Sequence, residues 1–136
     1  MRYLAVDYGV ARTGLAVCDA DETIASPLDV LRGPKNLTEK LVHRVETEGI
    51  EAIVIGLPLN MDGSEGPQAK RVRTFAERLN ARIHIPIYFQ DERLSSFEAG
   101  KKLQTTGLTR AKRRDRLDAV AAAEILQAFL DNKRQH

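Results

Sequence analysis

Two short apolar runs with no polar alternation, set among segments of helical period, constrain the fold more than any other feature. Leu4-Ala5-Val6 and Ala52-Ile53-Val54-Ile55-Gly56 read as strands buried on both faces. Between them Leu37, Leu41, Val42 and Val45 recur at helical spacing. Asn36 with Glu39 three positions on predicts a capping box, and Gly49 a helix stop. After the second run a helix is predicted from near Pro67, with Val72, Phe75, Ala76 and Leu79 along one side, and then a strand from Ile83 to Phe89. Buried strands that alternate with helices require parallel crossovers.

The amino-terminal part reads differently. Strands are predicted over 2–7, 15–18 and 24–31, with Gly9 and Gly14 bracketing the first turn and Asp19 to Glu22 forming the second. Pro27 marks the third strand as an exposed one. Beyond Phe89, Ser95 and Glu98 start a short helix to about Thr105, a basic loop follows, and a last helix runs from about Asp115 to Leu130. The expectation is an α/β fold: a mixed five-stranded sheet, three antiparallel strands and then two parallel ones, with helices on both faces. A chain of 136 residues supports one such domain, 1–136.

Three acidic residues stand out against this frame. Asp7 ends an apolar strand, and Glu92, with Asp91 beside it, follows another. The carboxyl ends of parallel strands share one edge of the sheet, where α/β proteins place their sites. On the last helix Asp118 continues the spacing of Ala121, Ala122, Ile125 and Phe129, so it lies on the face meant for the core. The alanines allow that helix to approach the sheet closely. Carboxylates gathered at one point repel one another unless a cation neutralises them. Oxygen ligands suit Mg²⁺ or Mn²⁺, and His43, His84 and His136 show no ligand spacing that would suggest zinc. A two-metal site about 3.5–4 Å across would activate a water and stabilise the leaving oxygen of a phosphodiester.

Total charge says little, with 21 Lys and Arg against 19 Asp and Glu. Its placement says more. Arg110, Lys112, Arg113, Arg114 and Arg116 crowd the segment before Asp118, and Lys70, Arg71 and Arg73 cluster on the second helix. The first group has no apolar periodicity and is expected to be a mobile loop that contacts nucleic acid. With 4 Phe, 3 Tyr and no Trp, binding is expected to act through phosphates more than through base stacking. The single Cys18 cannot form an internal disulfide, and Asp7 breaks the first apolar run before a signal-peptide core could form. No run approaches the ~20 apolar residues of a membrane span. A cytoplasmic protein without membrane contact is expected.

Four segments, in order along the whole chain, resemble one family. Val6-Asp7-Tyr8-Gly9-Val10-Ala11-Arg12-Thr13-Gly14, Gly56-Leu57-Pro58-Leu59-Asn60-Met61-Asp62-Gly63, Asp91-Glu92-Arg93-Leu94-Ser95 and Asp118-Ala119-Val120-Ala121-Ala122 are similar to the motifs of the YqgF (RuvX) family. The resemblance implies a ribonuclease H-like fold. It also implies a nuclease that matures the 5′ end of pre-16S ribosomal RNA, or one that resolves Holliday junctions. Asp7, Glu92 and Asp118 match the family's acidic positions. Arg12 and Arg93, inside two of the motifs, join Arg110, Lys112, Arg113 and Arg114 as expected nucleic-acid contacts. The wider superfamily places an acid at the end of the fourth strand, where this chain has Gly56-Leu57-Pro58; Glu92 or Asp91 must take that role. If the substrate is a four-way junction, a homodimer with paired sites is expected.

Two other classes compete. Asp7-Tyr8-Gly9 before a hairpin also resembles the first phosphate loop of sugar kinases and actin-like ATPases, but those folds need a second domain and a second loop. A non-catalytic nucleic-acid-binding module would have no use for all three acids.

Overall fold

The computed structural model describes residues 1–93 and 110–135, with side chains in the last helix from Asp115 to Arg134. The short helix expected over 95–105 lies outside the described residues. The order is β1 (Tyr3–Asp7), β2 (Arg12–Cys18), β3 (Ala25–Arg32), α1 (Leu37–Thr47), β4 (Ala52–Leu57), α2 (Pro67–Asn80), β5 (Ile87–Asp91) and α3 (Arg110–Gln135). The strands form one sheet in the order β3-β2-β1-β4-β5. β1, β2 and β3 pair antiparallel, while β4 joins β1 and β5 joins β4 in parallel. Pro27 sits on edge strand β3, just past a shift in register, where the missing N–H costs least.

Alternation along each strand sorts the core into two layers. Leu4, Val6, Leu15, Ile53 and Ile55 pack with Leu41 of α1 and Val72, Phe75 and Leu79 of α2. Tyr3, Ala5, Ala16, Cys18, Ala52 and Val54 face the other way, against Ala122, Ile125, Leu126 and Leu130 of α3. Helices thus cover both faces, as β1 and β4 require. The α3 side is rich in alanine, which brings that helix close to the sheet.

Several boundaries differ from the sequence expectation. β2 begins at Arg12, so Gly14 lies inside a strand and does not close a turn. Asn36 takes a left-handed conformation (φ 58°) and makes no side-chain cap, so the expected capping box does not form. Gly49 does end α1: its φ of +62° allows Gly49 N–H to reach the Glu46 carbonyl (3.4 Å) and Ile50 N–H the Val45 carbonyl (3.0 Å), a Schellman motif.

β5 begins at Ile87, not Ile83. Pro86 has no N–H to pair, although its carbonyl accepts Ile53 N–H at 2.9 Å. The basic segment expected as a mobile loop is helical from Arg110 onward. Arg, Ala and Lys are strong helix formers, and no Gly or Pro interrupts 110–135, so the helix extends without any apolar periodicity.

Candidate active site

The strand pattern that builds the core also builds a carboxylate cluster. Residues 3, 5 and 7 of β1 alternate onto the α3 face, so Asp7 follows Tyr3 and Ala5 toward that helix. Across the hairpin Asp7 pairs with Gly14. On its other side, one step beyond the Val6–Ile55 pair, lies Gly56. Both flanking positions therefore lack a side chain, and both voids are occupied. A Cβ on Gly14 would run into the backbone carbonyl of Asp118, and one on Gly56 into a Glu92 carboxylate oxygen and the Ile125 Cδ1 methyl. The two glycines let α3 descend onto β2 and let the Glu92 side chain lie across β4.

Glu92 arrives from the end of β5. Its N–H donates to the Leu57 carbonyl at 3.3 Å, which fixes its backbone to the adjacent strand. Tyr88 packs beside Phe129 of α3 at 5.6 Å between centroids, so residues 88, 90 and 92 share the α3 face. The Glu92 carboxyl then hydrogen-bonds Asp7. Asp91 turns the opposite way: its carboxylate accepts from Arg93 Nε at 2.7 Å and Arg93 N–H at 3.0 Å, which holds its pKa low. Arg93 also donates to the Met61 carbonyl at 3.1 Å, tying the loop after β4 to the end of β5. Of the two acids left open by the sequence, Glu92 is the one that meets Asp7.

Burial dominates the electrostatics. It pushes Asp7 up to about 6, helped by the negative charge of Asp118 and opposed by the hydrogen bond from Glu92. Burial likewise pushes Glu92 up to about 8, reinforced by the charge of Asp7 and by the hydrogen bond between them. Both carboxyls therefore hold their protons to higher pH than ordinary carboxylates, because two adjacent negative charges in a half-buried site repel.

Asp118 lies within electrostatic reach of Asp7, but its carboxylate is drawn toward Arg12. The Nε–Oδ2 distance is 2.5 Å, with each side chain about one quarter exposed. In this arrangement no three His, Cys, Asp or Glu side chains among the described residues stand ready to hold a metal ion. Two carboxylates touch, and the third is held at the rim by an arginine.

The expected nucleic-acid residues divide. Arg12 and Arg93 are engaged by Asp118 and Asp91. Arg110, Lys112, Arg113 and Arg114 are placed by their backbone on the first turns of α3; their side chains lie outside the described residues. Gly14 and Gly56 were not singled out as site residues by the sequence. In the structure each is a strand glycine on the same face as Asp7, a placement that needs the pairing of the strands as well as the sequence. Among the described residues no helix is long and apolar enough to cross a membrane.

The sequence profile of the RuvX family, described as Holliday junction resolvase, matches residues 1–132. A protein of Anaeromyxobacter sp. (strain K) is 44% identical over 145 residues, covering 98% of both chains. One of Moorella thermoacetica is 41% identical over 139 residues, covering 100% of this chain and 99% of its own. Both are named as candidate pre-16S rRNA nucleases.

Among solved structures, T. thermophilus RuvC in complex with a Holliday junction substrate superposes with a TM-score of 0.64 at 16% identity, covering 99% of this chain and 96% of RuvC. The Fowlpox virus resolvase in complex with Holliday junction DNA gives 0.62 at 10% identity, covering 98% and 99%. These structures share the ribonuclease H-like fold. With a profile match over nearly its whole length and relatives above 40% identity from end to end, the chain belongs to the RuvX family.

Proposed function

We propose that this chain is a divalent-metal-dependent nuclease that hydrolyses phosphodiester bonds in the 5′-end processing of pre-16S ribosomal RNA. One observation carries the proposal: the half-buried carboxyls of Asp7 and Glu92 meet on the α3 face of the sheet, in space left by Gly14 and Gly56, with the Asp118 carboxylate beside them. Burying acids side by side is unfavourable, and two neighbouring glycines are given up to make room for it. A purely structural pair gains nothing from that arrangement. A pair that receives a cation does.

The donor set fits a hard divalent ion, Mg²⁺ or Mn²⁺, since it is made of carboxylate oxygens alone. Asp7 and Glu92 would hold the ion, with Asp118 as the further ligand. Such an ion supplies activation of a water and stabilisation of the leaving oxygen. The chain's own residues do the rest. Asp7 is anchored by its backbone pairing with Gly14 at the end of a strand that is paired on both sides up to Val6. Glu92 releases to solvent the proton that it otherwise donates to Asp7. Arg12, when Asp118 turns inward, is left at the rim as a cation for a substrate phosphate.

The ribosomal RNA substrate rests on the names of the full-length relatives. Holliday junction resolution is the second reading, favoured by the family's description and by the junction complexes that share the fold. A direct test compares cleavage of a pre-16S precursor and of a synthetic four-way junction, with Mg²⁺ and with Mn²⁺, by wild type and Asp7→Asn. Metal-dependent cleavage of the RNA by wild type alone supports the proposal. Cleavage of the junction alone favours the second reading, and no cleavage of either refutes both.

A further inference from the structure

We infer that the flank of α2 beside Tyr8 is a second nucleic-acid subsite, which grips a backbone phosphate of the substrate away from the one that is cleaved. The inference rests on the nuclease reading above and adds a place for the substrate strand. Tyr8 follows Asp7, and alternation along β1 turns it to the opposite face of the sheet. There its ring stacks on Phe75 of α2, 4.4 Å between centroids and 18° from parallel. Beside this stack opens a recess of about 290 Å³, lined by Tyr8, Lys70, Arg71, Thr74, Phe75 and Arg78.

Positions 70, 74 and 78 follow one another at four-residue spacing, so Lys70 and Arg78 stand along one stripe of α2 with Arg71 beside them. No acidic side chain is among the described residues that line the recess. Among the described residues several other arginines are neutralised within the chain: Arg2 by Glu48, Arg12 by Asp118, Arg73 by Glu65 and Arg82 by Glu39. Arg71 reaches only the uncharged Gln68, at 3.0 Å. Among the described residues neither Arg71 nor Arg78 has a carboxylate partner. The third early cation of α2, Arg73, does not belong to this group. It is held by Glu65 at 2.6 Å and lies 4.9 Å over the Phe89 ring, on the other flank of the helix.

A cationic recess that opens one residue from Asp7, across the rim from the carboxylates, suits the chemistry of a phosphodiester chain. Tyr8 lines the recess and adjoins Asp7 in the chain, so a strand that crosses the rim beside Asp7 passes the Tyr8 side of this recess. The Tyr8 ring is already covered by Phe75, so the recess presents charge more than a stacking surface. Recognition there is of the backbone, independent of sequence.

The test is equilibrium binding of a labelled single-stranded RNA in EDTA across a salt series, for wild type, Arg71→Ala/Arg78→Ala, Arg71→Lys/Arg78→Lys and Arg82→Ala. Loss of two phosphate contacts should reduce the salt slope by about 1.4, at roughly 0.7 per contact on a single strand, and weaken binding several-fold at low salt. The lysine variant should restore most of the slope, which a structural role for these arginines would not predict. Arg82→Ala, whose partner Glu39 is on α1, should leave both quantities unchanged. A wild-type slope and affinity in the double alanine variant overturn the subsite, while wild-type binding and cleavage keep the nuclease reading. Failure of the wild-type protein to bind RNA or junction DNA overturns both.

Discussion

Replacing Glu92 by glutamine should stabilise the metal-free protein above pH 6, contrary to the usual effect of altering a buried hydrogen-bonded group. The proton held by Glu92 sets the magnitude. Its pKa stands near 8 in the fold against 4.5 for an ordinary glutamate. Between those values the folded chain keeps a proton that the unfolded chain has released, so wild-type stability falls as pH rises. A tenfold difference in proton affinity is worth about 1.4 kcal/mol, so raising the pH from 5 to 8 should remove on the order of 3 kcal/mol. A glutamine amide donates to Asp7 as the protonated carboxyl does, but has no proton to lose. Asp7, itself raised to about 6, leaves a smaller pH dependence in the variant.

The assay is denaturation in EDTA at several pH values from 5 to 8. At about 4 °C per kcal/mol for a domain of this size, the midpoint of Glu92→Gln should exceed that of wild type by on the order of 10 °C at pH 8. The two should nearly coincide at pH 5. Mg²⁺ should then raise the wild-type midpoint at pH 8, because it binds the folded chain alone, and leave the variant almost unmoved. Parallel pH profiles for the two proteins would refute the shared proton. A variant less stable than wild type at pH 8 would show that Glu92 is structural.

Asp7→Asn should abolish cleavage while the metal-free protein melts at or above the wild-type temperature; a large loss of stability would make Asp7 structural instead. Gly56→Ala should cost about 1–3 kcal/mol by overpacking and reduce cleavage as well, because the new methyl displaces Glu92 and Ile125; denaturation and cleavage assays on one preparation read both. Arg12→Ala should lower metal-free stability by about 1 kcal/mol or less, since it leaves Asp118 unpaired beside Asp7. Added Mg²⁺ should shrink that difference, which a melt with and without metal would show.

Much of the fold was legible because periodicity reports burial directly. Ala52-Ile53-Val54-Ile55 could only be an interior strand, and it pairs between β1 and β5. The errors fall where a local signal was outweighed. Asn36 and Glu39 had the spacing of a capping box, yet Asn36 enters α1 with a left-handed backbone and its side chain stays out of the cap. Ile83 and Ile85 have the composition of a strand, but Pro86 delays pairing to Ile87. The basic stretch before Asp118 lacked an apolar stripe, and helix propensity without breakers was enough to make it helical.

The carboxylates were legible for the same reason as the core: each interrupts or continues an apolar pattern and is carried to the rim by its element. What holds them together was not, because it consists of absent atoms and of a contact distant in sequence. A glycine in a strand signals equally a bulge, a bend or a close approach, and only the sheet order shows that Gly14 and Gly56 flank Asp7. Nor does local pattern reveal that Arg12 is drawn to Asp118, 106 positions away. That ion pair gives the metal-free cluster its form. Burial and mutual repulsion leave room for one negative charge on Asp7 and Glu92 together, and the remaining acid is balanced by a cation from the adjacent hairpin. A divalent ion entering the cluster can replace two charges at once, the proton on Glu92 and the guanidinium on Asp118, so its binding should release a proton and free an arginine for the substrate in the same event.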